Sequence, residues 1–423
     1  YLSLYYTKHE GSENRNLDAP SLLGWGMSED PEDGNEFENG TRGAISSIIS
    51  ACDPRNSILN WLLIAVPIAG YAKLAHLDES IQFISSMIGI MPLAFLMGKA
   101  TEEIATRTSE SVGGLLNATF GNAAEIIIAI VAVFAAAKAF SDNDLQLGNA
   151  MVTLVKTSLI GSILGNLLLV MGLSFLWGGL RHKEQKFNPQ AVSINTTLLL
   201  LSTICLILPT VFHIALSING IEESEIVQGV LMVSRLTAIV LMASYGLLLF
   251  FQLKTHSDMM SGSSHGHEEP TMELKDAGIL LLIATIFVSL MAEIMVHSVE
   301  AAGEAIGLSA VFIGVILLPL FGNAAEHFTA VVVAGKNRMD LSIGIAVGSS
   351  VQIAAFVAPL VILVAWIIGV DLSFEFGLLE TAACMLAVLL ANSIARDGQS
   401  NWMEGAMLLA TYVIIGLSFL FYP

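Results

Sequence analysis

Eleven apolar runs divide this chain, and most are long enough to cross a membrane as a helix. They fall near residues 58–75, 80–106, 111–138, 145–178, 190–216, 224–253, 276–300, 309–335, 340–369, 373–394 and 402–422. A hydrocarbon core about 30 Å thick needs roughly 20 helical residues. Composition agrees: 54% of the 423 residues are hydrophobic and 13% charged, against about 25% charged in a soluble domain. The expected fold is therefore an all-α polytopic membrane protein with about eleven transmembrane helices. A net charge of −19 excludes a nucleic-acid partner, which calls for a basic footprint.

The loop charges order these crossings. With loops assigned to alternate sides, Arg42, Arg55, Arg107, Arg181, Lys183, Lys186, Lys254, Lys275, Lys336, Arg338 and Arg396 fall on one side. Only Lys73 and Lys138 fall on the other. Cytosolic loops carry the excess of Lys and Arg, so the N-terminus is expected in the cytosol and the C-terminus across the membrane. Residues 1–56 are polar and acidic and read as a disordered cytosolic tail. Residues 254–274 form a second polar segment, read as a cytosolic linker. Its His265 and His267 are metal-ligand candidates, though solvated linker is the plainer reading. The linker leaves 57–253, one helix plus a first set of five, and 275–423, a second set of five. An odd repeat is inserted upside down relative to the first, an architecture common in transporters. Cys52, Cys205 and Cys384 lie far apart and make neither metal spacing nor a disulfide framework. The chain begins at Tyr1 rather than Met and reads as trimmed, with no cleavable signal peptide at this N-terminus.

One hexapeptide occurs twice: Phe120-Gly121-Asn122-Ala123-Ala124-Glu125 and Phe321-Gly322-Asn323-Ala324-Ala325-Glu326. A carboxylate near the bilayer centre costs about 2.5–3.5 kcal/mol on insertion scales, and this chain carries that cost in both halves. Each Asn and Glu are three apart, which on a continuous helix places them on one face. Gly121 and Gly322 allow close helix approach. Inversion brings the two stripes together. Two carboxylates, two amide oxygens and nearby carbonyls are the hard oxygen ligands that Ca²⁺ prefers. Two close carboxylates in a low dielectric repel, and protons neutralise them. Protons and a divalent cation then compete for one site, the physical basis of proton/cation exchange. Polar glue between helices is the plain alternative, and its recurrence in inverted positions argues against it.

A second layer follows each hexapeptide. Gly161-Ser162-Ile163-Leu164-Gly165-Asn166 and Gly348-Ser349-Ser350-Val351-Gln352 combine small residues, hydroxyls and a carboxamide in apolar runs, suited either to close packing or to an ion path. Glu102, near the cytosolic end of the second helix, is a candidate for the pathway mouth, with surface solvation as the alternative. His327 follows Glu326 and is of a type that changes charge near neutral pH. Glu293 and Glu380 rank lower, and Lys99, Lys156 and Arg235 are expected to snorkel or pair with acids. Glu102-Glu103-Ile104-Ala105-Thr106-Arg107 resembles an intramembrane prenyl-protein protease motif. The histidine elements that such an enzyme also needs are absent from the sequence, so no enzyme is expected.

These motifs resemble those of the cation/proton exchanger (CAX) branch of the Ca²⁺/cation antiporter superfamily. The likeness is carried by Gly113-Gly114-Leu115-Leu116-Asn117-Ala118-Thr119 leading into the first hexapeptide, and by the second hexapeptide with His327. Ala100-Thr101-Glu102-Glu103, Gly161-Ser162, Gly348-Ser349-Ser350-Val351-Gln352 and Asn401-Trp402 also match, and the likeness runs from about residue 56 to the C-terminus. The motifs have the flavour of a fungal vacuolar Ca²⁺/H⁺ exchanger. The resemblance implies that Glu125 and Glu326 carry the ion and the protons, with Asn122 and Asn323 beside them. It further implies that Glu102 and His327 line the approach and the site's edge, and that Ser162, Ser349 and Gln352 lie along the pathway. Gly165 stands where the family pattern has Ser, so no ligand role passes to it. The implied activity is exchange of cytosolic Ca²⁺ for lumenal H⁺ across a vacuolar membrane, with no cofactor and with Mn²⁺ or other divalents as further cargo. The alternatives are a Na⁺-driven exchanger of the same superfamily and a Ca²⁺-permeable channel. No nucleotide-binding loop is present.

Overall fold

The computed structural model describes residues 47–55, 57–108, 110–256, 272–394 and 396–422. Most of the acidic tail and residues 257–271 of the linker lie outside these. Among the described residues the chain is helical, apart from a two-residue strand pair. We label the helices α1 Ile58–Leu74, α2 Glu79–Ala105, α3 Glu110–Phe120, α4 Ala123–Ser141, α5 Leu145–Arg181, α6 Pro189–Ile218 and α7 Glu223–Thr255. They continue as α8 Leu274–Ile306, α9 Ala310–Gly322, α10 Ala324–Gly335, α11 Met339–Ile368, α12 Leu378–Ile394 and α13 Trp402–Leu420. Eight helices are long and apolar enough to span a membrane by themselves, and α9 and α10 make a further span bent by 59°. The shorter apolar helices α1 and α12 fall on two further runs, an arrangement consistent with eleven crossings, although α12 begins at Leu378 and not at 373 as the run suggests.

Among the described residues the outer surface is apolar, and a set of polar side chains is buried within an apolar core. Trp61, Leu74, Leu247, Ile367 and Ile414 are exposed on the outer surface, while Asn122, Asn166, Asn323 and Ser162 are buried. Large apolar side chains exposed along the helices fit a lipid surround. The central packing joins the halves: α2 lies along α8, and α5 packs against both α9 and α10. Close approach is made possible by a pair of interlocking glycines. A Cβ on Gly161 of α5 would lie 2.2 Å from the Val315 carbonyl oxygen, and one on Gly314 of α9 would lie 1.9 Å from Thr157 Oγ1. Neither position admits a side chain while the helices keep this separation.

Three core helices widen into a π-helical turn, at Gly165–Val170, Ile313–Leu317 and Ile353–Val357. Such turns concentrate at functional sites. Two have a local cause: Pro319 and Pro359 follow within two residues, and neither has an N–H to return to the carbonyl four residues back. The strands β1 Gln185–Lys186 and β2 Gln399–Ser400 pair antiparallel and clasp the loop after α5 to the loop after α12. Gln185 Nε2 donates to the Ala334 carbonyl at 2.9 Å and to Asn337 Oδ1 at 2.9 Å, which adds the loop after α10.

Candidate cation site

Both hexapeptides break their helix. Gly121 and Asn122 separate α3 from α4, and Asn323 separates α9 from α10, with φ/ψ of −104°/24° at Asn122 and −93°/10° at Asn323. The spacing argument places each Asn and Glu on one face of a continuous helix. Here the Asn instead occupies the N-cap of a new helix, and the Glu sits in its first turn. Asn is among the best N-cap residues because its side-chain oxygen accepts a free N–H of the first turn. Neither Asn122 nor Asn323 makes that bond. Both are fully buried, at 0% and 1% exposure, and the Oδ1 of each has no hydrogen-bond partner. Buried polar atoms are nearly always partnered, and these two amide oxygens stand unpartnered in matching positions of the two halves.

The two carboxylates meet around these breaks. Glu125 lines a cavity of about 20 Å³ with Ser158, Ser162, Pro319, Gly322 and Ile353. That volume accepts roughly one water-sized occupant. Reciprocally, a Cβ on Gly121 would lie 3.7 Å from Glu326 Oε1. Each glutamate thus adjoins the glycine at the other half's break. Ser349 Oγ donates to Glu326 Oε2 at 2.9 Å, and Asn122 Nδ2 donates to Gln352 Oε1. Among the described residues neither glutamate has a basic partner at ion-pair distance. No trio of His, Cys, Asp and Glu forms a metal centre among them either. The oxygens gathered here are those of two carboxylates, two serine hydroxyls and side-chain amides.

Of the residues singled out from the sequence, Glu125, Glu326, Asn122, Asn323, Ser162, Ser349 and Gln352 come together here. His327 is buried beside them, its Nε2 without a partner, and a Cβ on Gly165 would lie 4.0 Å from its Cε1. That is an ordinary van der Waals separation, so the ring packs over position 165 without depending on the missing side chain. Glu102 stays apart, exposed near the end of α2. Its neighbour Glu103 is the buried one of the pair and accepts the Met272 N–H at 3.2 Å. Glu293 pairs with Lys73 at 2.8 Å. Glu380 is buried, with Oε2 unpartnered. Asn166, whose buried Nδ2 also lacks a partner, had no signal in the sequence beyond its place in the second-layer motif.

The chain matches the sodium/calcium exchanger protein family over residues 80–254 and 277–421. It is 44% identical to a Ca²⁺/H⁺ antiporter of Aphanothece halophytica over 385 residues, covering 87% of this chain and 98% of that one. It is 39% identical to a vacuolar calcium ion transporter of Schizosaccharomyces pombe, covering 87% and 86%. The crystal structure of the Ca²⁺/H⁺ antiporter YfkE superposes with a TM-score of 0.70 at 37% identity, covering 86% of this chain and 98% of that one. On this match the chain belongs to the sodium/calcium exchanger protein family.

Proposed function

We propose that this protein is a secondary active antiporter exchanging Ca²⁺ for H⁺. The observation that carries the reading is the pair of withheld Asn caps beside two carboxylates with no basic partner. A buried charge of −2 is costly unless compensated. A divalent cation compensates it, and so do two protons, so the two cargoes exclude one another at Glu125 and Glu326. Asn122 and Asn323 supply amide oxygens, Ser349 orients Glu326, and Ser162 and Gln352 line the way. Gln352 also engages the Asn122 amide through Nδ2, which leaves its Oδ1 unpartnered. The names of the relatives at 37–44% identity support the same cargoes.

The two five-helix sets act as inverted repeats around this site. Paired helix breaks, paired π-turns after Ser162 and after Gln352, and the packing of α2 along α8 all support that arrangement. The loop charges support a cytosolic N-terminus and a lumenal C-terminus, and relatives named as vacuolar support an acidic organelle as the location.

Ca²⁺ uptake into proteoliposomes under an imposed pH gradient tests the reading. Uptake should require an acidic interior and collapse with a protonophore. Uptake that follows a Na⁺ gradient, or membrane voltage alone, refutes it.

A further inference from the structure

Between Gly369 and Leu378 the chain leaves the helix yet stays largely buried. Gly369, at φ 88°, turns out of α11, and Val370, Leu372, Phe374 and Phe376 alternate into the core at 5% exposure or less. Extended backbone inside a membrane protein must find partners elsewhere. Here several come from side chains of α5, α6 and α7, all in the first half. Ser234 Oγ accepts the Phe374 N–H at 3.0 Å, and Thr210 Oγ1 accepts the Phe376 N–H at 2.9 Å. Arg235 Nη2 lies 3.3 Å from Asp371 Oδ1, and His213 Nδ1 lies 3.0 Å from Glu375 Oε1. Lys156 Nζ donates to the Glu375 carbonyl at 2.8 Å and reaches Ser373 Oγ at 3.4 Å.

Lys156 stands on α5 two residues before Ser158 and six before Ser162, both of which line the Glu125 cavity. At 1.5 Å per residue, the strap is fastened about 9 Å beyond Ser162 along that helix. The carboxylates facing the ammonium are those of Glu375 and of the buried Glu380 in the first turn of α12. An intramembrane lysine is costly and rare, and this one directs its charge at a main-chain carbonyl.

We propose that Lys156 is a positioning residue for ion release: it fastens the strap Val370–Gly377 to α5, the helix whose Ser158 and Ser162 line the cavity. Release of the ion requires the strap to part from α5. This rests on the exchange activity and orientation proposed above.

The test uses the full chain with Cys52, Cys205 and Cys384 replaced and Leu372→Cys added. Modification by a membrane-impermeant maleimide is followed in nanodiscs, and Ca²⁺ uptake in proteoliposomes. Lys156→Met should speed modification about tenfold, and Lys156→Arg should stay within about twofold of the parent, as expected when a closed population loses its bias. In uptake, the half-saturating Ca²⁺ concentration of Lys156→Met should rise by a larger factor than the maximal rate falls, because fewer molecules face the cytosol. Thr210→Val, which removes a second fastening, should move both readings the same way and decides the matter if Lys156→Met does not reconstitute. Unchanged modification in both variants overturns the proposal even if transport is lost. A parent that shows no proton-driven uptake refutes the exchange reading, while the modification rates still judge the strap.

Discussion

Replacing Gly161 by alanine would place a methyl carbon 2.2 Å from the Val315 carbonyl oxygen and 2.7 Å from Pro319 Cγ. Real Cβ atoms do not approach closer than 3.0 Å, and the nearest obstacle is backbone, which cannot swing aside. Helices α5 and α9 would have to separate by about 1 Å, and overpacking of this kind costs about 1–3 kcal/mol. Against that, alanine gains up to about 1 kcal/mol over glycine in a helix interior. The net expectation for Gly161→Ala is a loss of about 1–2 kcal/mol. Gly348 begins the corresponding motif of the second half, and nothing lies within 4 Å of its Cβ position. Gly348→Ala should therefore be neutral or stabilising by up to about 1 kcal/mol. Thermal unfolding of the detergent-purified proteins measures both, with melting temperatures moving in opposite directions. Ca²⁺ uptake should fall in Gly161→Ala alone, because Ser162 and Pro319 both border the cavity. Equal shifts in the two variants, or a Gly161→Ala protein as stable as its parent, would refute the interlock.

Glu125→Gln and Glu326→Gln should each abolish uptake while leaving the size-exclusion profile unchanged; near-normal exchange in either sinks the two-carboxylate mechanism. Ser349→Ala removes the hydroxyl that donates to Glu326, and a hydrogen bond to a charged group is worth about 1.5–3 kcal/mol, so half-saturating Ca²⁺ should rise about tenfold or more in the uptake assay. Because metal binding to a protonated carboxylate releases the proton, Ca²⁺ added to unbuffered protein near neutral pH should acidify the solution, and Glu125→Gln or Glu326→Gln should lessen the release. The same competition makes apparent Ca²⁺ affinity fall as cytosolic pH falls, measurable as half-saturating Ca²⁺ against external pH.

The spans were legible because a membrane helix announces itself by length and composition alone. The twin hexapeptides were legible because an intramembrane Glu is rare and a repeated one rarer. The breaks were not: Gly-Asn in an apolar run is compatible with an unbroken helix, and only the fold shows Asn122 and Asn323 standing at N-caps. Depth was likewise hidden at Glu102 and Glu103, where adjacent residues differ by about 100° in direction and either could face inward. Half of the strap was hidden in the run at 373–394, since Phe374 and Phe376 supply the hydrophobicity of a helix, although the helix begins only at Leu378. Lys156 gave no hint of its partner, because Glu375 offers it a main-chain carbonyl, which no side-chain pattern records.

The withheld caps at Asn122 and Asn323 also bear on how long the protein lasts. A buried amide oxygen without a partner costs about 1–3 kcal/mol, and the first turns of α4 and α10 forgo the side-chain bond that would tighten them. Whatever enters the site supplies what the chain does not. A ligand that binds only the native form stabilises it in proportion to its concentration over its dissociation constant. On the site proposed here, cargo is also a structural component, and raising Ca²⁺ should raise the melting temperature of the purified protein.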